Sequence, residues 1–122
     1  MHILLVDDDA DNRRTIGTAL RQRGHSVREV ADGLLALLYL DDEVDLLVTD
    51  VEMPGLDGMS LLRTLRERFG ELPVIVMSGQ GPATCAPLLR ERATAYLAKP
   101  VDLGEFLSLV RQCAGDRGEG DR

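Results

Sequence analysis

Ile3-Leu4-Leu5-Val6-Asp7-Asp8-Asp9 is a short apolar run that ends abruptly on acidic residues, and the same design returns further along the chain. Leu46-Leu47-Val48-Thr49 ends on Asp50, Val74-Ile75-Val76-Met77 on Ser78, and Tyr96-Leu97-Ala98 on Lys99. Apolar runs of this length, rich in branched residues or bounded by turn signals, read as buried strands. A fifth segment, Ser26 to Val30, carries Arg28 and Glu29 within it, which suits an outer strand at a sheet edge.

Helix-length segments separate these strands: Ala10 to Arg23, Leu34 to Leu40, Gly58 to Arg68, a short one near Pro87 to Arg92, and Leu103 to Ala114. Asp9 is placed to cap the first helix and Gly24 to end it, while Asp102 is placed to cap the last. Parallel neighbours need long crossovers and those crossovers cover the sheet, so the alternation predicts an α/β fold, a parallel sheet with helices on both faces. Residues 1–114 form one domain in this reading. Gly115 to Arg122, Gly-rich and charged, read as a flexible tail or the start of a linker.

Composition narrows the function. The chain of 122 residues is 44% hydrophobic and 29% charged, which fits one globular core. A net charge of −7 leaves no Lys/Arg footprint for direct nucleic acid binding. No apolar run approaches the roughly 18 to 20 residues of a membrane span, and no signal peptide is visible. Cys85 and Cys113 show no metal-binding or disulfide spacing and read as inert. A cytoplasmic setting with no membrane contact is the expectation.

In an open α/β sheet, ligands bind beyond the carboxyl ends of the strands. The architecture therefore delivers Asp7, Asp8, Asp50, Ser78 and Lys99 to one crevice. Three carboxylates there repel one another, and they either raise a pKa or recruit a cation to stay ionised together, a divalent metal being the economical solution. Oxygen ligands favour Mg²⁺, with Mn²⁺ as the alternative, over zinc. A carboxylate so placed is a nucleophile toward phosphorus once a metal and a fixed cation offset the accumulating charge. Ser78 offers a hydroxyl donor to a phosphoryl oxygen.

Four blocks then carry a resemblance: Leu4-Leu5-Val6-Asp7-Asp8-Asp9, Asp50-Val51-Glu52-Met53-Pro54-Gly55-Leu56-Asp57-Gly58, Val76-Met77-Ser78-Gly79 and Tyr96-Leu97-Ala98-Lys99-Pro100. Together they resemble the response-regulator receiver family of two-component signalling, from Met1 to about Ala114. The resemblance implies a flavodoxin-like three-layer sandwich, a five-stranded parallel sheet of order 2-1-3-4-5 with five helices. It implies that Asp50 is the phosphoacceptor, and that Asp8, Asp50 and the Glu52 backbone carbonyl ligate the metal while Asp7 holds metal-bound water. Ser78 and Lys99 would contact the phosphoryl group, Tyr96 would follow Ser78 as the switch aromatic, and the Lys99-Pro100 bond would be cis. The implied partners are a histidine kinase or histidine phosphotransfer protein on the input side, and an effector protein or attached output domain on the other.

Each residue also has a plain reading. Asp9 reads as a helix cap rather than a ligand, Asp57 and Gly58 as turn and helix entry, and Met53 and Pro54 as loop scaffold. Tyr96 also suits a half-buried strand aromatic, Lys99 alone a solvated amine and Ser78 alone a strand-end hydroxyl. The chain departs from the family where Pro82 and Pro87 crowd the start of the fourth helix, so that helix should be short or late, with Gly79 to Leu88 a mobile loop before phosphorylation. Leu34, Leu35, Leu37, Leu38 and Leu40 cannot all face the sheet, so the second helix should present an apolar outer face centred on Leu34 and Leu38, open to a partner or attached domain. Competing readings are a haloacid-dehalogenase-like phosphatase, disfavoured because Glu52 stands where a second Asp is needed, and a flavin carrier, disfavoured because Asp7, Asp8 and Asp9 would repel a phosphate. A pseudo-receiver, an interaction module that never takes phosphate, is the remaining alternative.

Overall fold

The computed structural model describes residues 1–50, 63–65, 67–70, 72–79 and 95–116. Five strands, β1 (His2–Val6), β2 (Ser26–Val30), β3 (Leu46–Asp50), β4 (Val74–Ser78) and β5 (Ala95–Ala98), form one sheet in the order β2-β1-β3-β4-β5. Every neighbouring pair is parallel. The helices are α1 (Ala10–Gln22), α2 (Gly33–Tyr39) and a C-terminal helix, Leu103–Asp116, with residues 63–65 and 67–68 also helical between β3 and β4. The fold is the α/β arrangement that the alternating sequence predicted, in the flavodoxin-like form that the resemblance implied.

Side chains alternate across a strand, and here both faces of the central strands are apolar because both are covered. Leu4 and Val6 of β1 join Leu47, Val74, Val76, Ala36 of α2 and Leu65 in one core. Ile3 and Leu5 join Leu46, Val48, Ile75 and Met77 in the other, closed by Ile16 and Leu20 of α1 and by Phe106 and Val110 of the C-terminal helix. Each such fully buried side chain contributes roughly 1.5–3 kcal/mol of hydrophobic transfer. Hence a run like Leu46-Leu47-Val48 shows no alternation in sequence: it feeds both cores.

Local chemistry sets the ends of the helices. The Asp9 carboxylate accepts from the backbone N–H groups of Asp11 (3.0 Å) and Asn12 (3.1 Å), and Asp102 accepts from Glu105 N–H (2.9 Å), as expected of N-caps. Gly24, just past α1, takes φ +91°, a backbone region that favours glycine. Asp32 also caps α2 through Leu35 N–H at 2.8 Å, a role the sequence reading did not assign.

Several boundaries differ from expectation, most by a single residue at β1, α1, α2 and β5. Asp50 and Ser78 are the last residues of β3 and β4 rather than the first residues beyond them, because the ladder continues through the pairs Asp50↔Met77 and Ser78↔Ala98. β5 is the second edge strand, so of Tyr96, Leu97 and Ala98 only Leu97 is buried. The C-terminal helix runs to Asp116, past the expected Ala114. The expected fourth helix near Pro87 to Arg92, the loop from Gln80 to Leu88, the helix entry at Asp57 and Gly58, and Cys85 all lie outside the described residues. Cys113 is buried in the core beneath the C-terminal helix. Among the described residues no helix is long and apolar enough to cross a membrane.

Candidate functional site

Strand register explains how residues so far apart in sequence meet. Val6 pairs with Thr49, so Asp7, one step on, comes level with Asp50. Asp50 pairs with Met77 and Ser78 with Ala98, which places Ser78 and then Lys99 at the same carboxyl edge of the sheet. The Lys99 backbone N–H donates to the Ser78 carbonyl at 2.8 Å, extending the ladder one residue beyond β5. The Lys99-Pro100 peptide bond that follows is cis.

Carboxylate oxygens of Asp7, Asp8 and Asp50 all lie within 4.8 Å of one another. Asp7 and Asp50 are buried and Asp8 is exposed, so the cluster reaches solvent at Asp8. Lys99 Nζ donates to Asp50 Oδ2 at 2.5 Å and stands 3.7 Å from Asp7 Oδ2. Ser78 is fully buried beside this pair of strand ends, and Tyr96 is half-buried against the core on the α2 side. The five crevice residues expected from sequence are thus brought to one edge. Glu52, whose carbonyl was the remaining expected ligand, lies outside the described residues.

Two contributors escaped the sequence reading. The Asn12 side-chain amide donates to Asp7 Oδ2 at 2.5 Å, and Arg13 Nη1 donates to the Asp7 backbone carbonyl at 2.5 Å. Arg13 Nε also lies 3.6 Å from Glu29 Oε1 on β2, tying the neighbouring strand to the site. A signal existed: helical side chains lean toward the N-terminus, so first-turn residues of α1 reach back over the end of β1.

The donor set suits a hard divalent cation. Three carboxylates against one ammonium leave the cluster short of two positive charges, and every candidate ligand is oxygen. Buried like charges at this spacing raise one another's cost unless a cation intervenes. Such a cluster, acidic and carrying a fixed lysine, suits a divalent cation.

Comparison with known proteins agrees with this geometry. The chain is 38% identical over 113 residues to the response regulator MprA of Mycobacterium avium, covering 91% of this chain and 50% of that protein. It is 33% identical over 114 residues to the DNA-binding transcriptional regulator NtrC of Proteus hauseri, covering 91% of this chain and 24% of NtrC. The chain therefore spans half or less of the length of these curated relatives. Among solved structures, the receiver domain of the Francisella response regulator 1452 superposes with a TM-score of 0.88 at 30% identity, covering 95% of this chain and 98% of that one. Residues 3–111 match the model of the response regulator receiver domain, and the chain belongs to that family of two-component signalling modules, phosphorylatable regulators rather than enzymes in their own right.

Proposed function

We propose that this domain is a phosphoacceptor switch in which Asp50 takes a phosphoryl group from a histidine kinase, a histidine phosphotransfer protein or a small-molecule phosphodonor. The observation that carries the reading is the convergence of Asp7, Asp8, Asp50 and Lys99 at one sheet edge, with Asp50 buried against the lysine. An Asp50 carboxylate oxygen attacks phosphorus, the bond from phosphorus to the donor's nitrogen or oxygen breaks, and the donor's leaving group takes the electron pair and a proton. Asp8, Asp50 and the Glu52 carbonyl would hold a divalent cation such as Mg²⁺ or Mn²⁺, with Asp7 holding its water, and the bound cation would supply positive charge to offset that building on the phosphoryl oxygens.

Lys99 holds Asp50 at rest and passes its donor to a phosphoryl oxygen after transfer, while the Ser78 hydroxyl donates to another. Ser78 sits in register with Ala98, and Val76 with Tyr96, so a pull on the end of β4 acts on β5 and on Tyr96 as the switch aromatic. That edge is the output face. In this reading residues 1–114 are the phosphoacceptor unit, followed by a tail or linker. The output is an attached domain or a separate effector; MprA and NtrC are longer regulators, which supports the former.

Intact mass after incubation with phosphoramidate tests this. Wild type should gain one phosphoryl group with Mg²⁺ and none with EDTA, and Asp50→Asn none in either buffer. Absence of modification in wild type with Mg²⁺ would favour a pseudo-receiver that signals without phosphate.

A further inference from the structure

Asp7 is fully buried, and both of its carboxylate oxygens are engaged. Oδ1 accepts from the Asp9 backbone N–H at 2.9 Å, and Oδ2 accepts from the Asn12 amide at 2.5 Å. Oδ2 also stands 3.7 Å from Lys99 Nζ, the ammonium that pairs with Asp50. One oxygen thus lies between a neutral donor on α1 and a cation at the end of β5.

We propose that Asn12 is a positioning residue that sets the divalent-cation affinity of the Asp7, Asp8 and Asp50 cluster. The proposal rests on the reading of that cluster as a metal site. Asn12 satisfies Asp7 Oδ2 without adding charge, so the cluster keeps the charge deficit that attracts a cation, and Lys99 remains with Asp50. Without the amide, Asp7 is drawn toward Lys99 or away from its acidic neighbours, and the ligand set loses its preorganisation. The main chain is unaffected, because Arg13 holds the Asp7 carbonyl independently. A lysine at position 12 would satisfy the same oxygen but supply the missing charge itself.

Three substitutions separate these effects. Asn12→Gln keeps the donor on a longer stem, Asn12→Leu removes it on the same γ-branched skeleton, and Asn12→Lys adds charge. Leu, Lys and Gln are all better helix formers than Asn, so no loss of helix stability should accompany them. Mn²⁺ binding, read from the electron paramagnetic resonance of free Mn²⁺ without phosphodonor, should weaken about tenfold in Asn12→Leu, the scale typical of groups that orient metal ligands. It should weaken further in Asn12→Lys and recover in Asn12→Gln. Phosphorylation by phosphoramidate should show a raised Mg²⁺ requirement in Asn12→Leu with a near wild-type rate at saturating Mg²⁺. Urea midpoints identify any variant that fails to fold; Asn12→Leu and Asn12→Lys are independent, so either one suffices. If wild type binds no Mn²⁺, the metal reading itself falls. If wild type binds Mn²⁺ and folded Asn12→Leu or Asn12→Lys binds equally well, the role assigned to Asn12 is overturned and the metal reading stands.

Discussion

Replacing Lys99 by methionine keeps an unbranched stem one atom shorter and removes the charge. In the folded protein Lys99 Nζ lies 2.5 Å from Asp50 Oδ2 and 3.7 Å from Asp7 Oδ2, and those two carboxylates are 3% and 0% exposed. Lys99→Met therefore leaves two buried negative charges with their fixed counter-ion gone. Breaking a buried pair by deleting one partner costs about 3–5 kcal/mol. The lysine side chain is 25% exposed, so water shares its solvation and the lower end of that range applies, about 3 kcal/mol. For a domain of this size each kcal/mol shifts Tm by roughly 4 °C, so Tm should fall by about 12 °C in EDTA. Adding Asp50→Asn removes one of the two charges that faced the lysine, and the double mutant should recover about 2 kcal/mol relative to additivity. Mg²⁺ at a hundred times its Kd would restore about 2.7 kcal/mol by mass action. Urea and thermal denaturation followed by circular dichroism, with EDTA and with Mg²⁺, measure all of these. A Lys99→Met variant within about 0.5 kcal/mol of wild type in EDTA, together with an additive cycle, would refute the idea that the lysine compensates a buried acidic cluster.

Gly24→Ala should cost about 1 kcal/mol in urea denaturation, because the loss comes from forcing φ +91° on an L side chain and not from crowding, there being nothing within 4 Å of the new methyl. His25 receives a hydrogen bond from the N-terminal ammonium at 3.0 Å, and burial together with that ammonium holds its pKa below the ordinary 6.5. The unfolded chain then binds the proton more tightly, so His25 contributes stability above pH 6.5 that is lost as pH falls through its folded-state pKa, and His25→Gln should flatten the urea-midpoint profile in that window. Leu34→Glu with Leu38→Glu should change stability by no more than about 0.5 kcal/mol each, since these leucines are 59% and 78% exposed; a larger loss by the same denaturation assay would mean that α2 is packed more deeply than it stands here.

Much of the fold was legible because its signals are local and repeated. Runs such as Leu46-Leu47-Val48 must be covered on both faces, and Asp9 and Asp102 are capping residues by type and position. The crevice was legible for a topological reason: parallel strands end at one edge, so Asp7, Asp8, Asp50, Ser78 and Lys99 could be grouped without knowing any distance. What stayed hidden depends on side-chain reach. Asn12 and Arg13 look like ordinary polar residues in an exposed first helical turn, and nothing in their type says that one holds a carboxylate oxygen and the other its carbonyl. The partial exposure of β5 was not legible in its own residues, since the apolar run Tyr96-Leu97-Ala98 reads as buried; only the strand order implied by the resemblance put it at an edge. Leu34 and Leu38 were legible as surplus: a short helix cannot turn every leucine inward.

The most direct measurement is the position of the phosphoryl group. Wild-type protein treated with phosphoramidate and Mg²⁺, reduced with borohydride and mapped by peptide mass spectrometry, should carry homoserine at position 50, the product of reducing an aspartyl phosphate. Reduction at Asp7 or Asp8 instead, or a stable phosphoryl group on Ser78, would contradict the assignment of Asp50 as the acceptor.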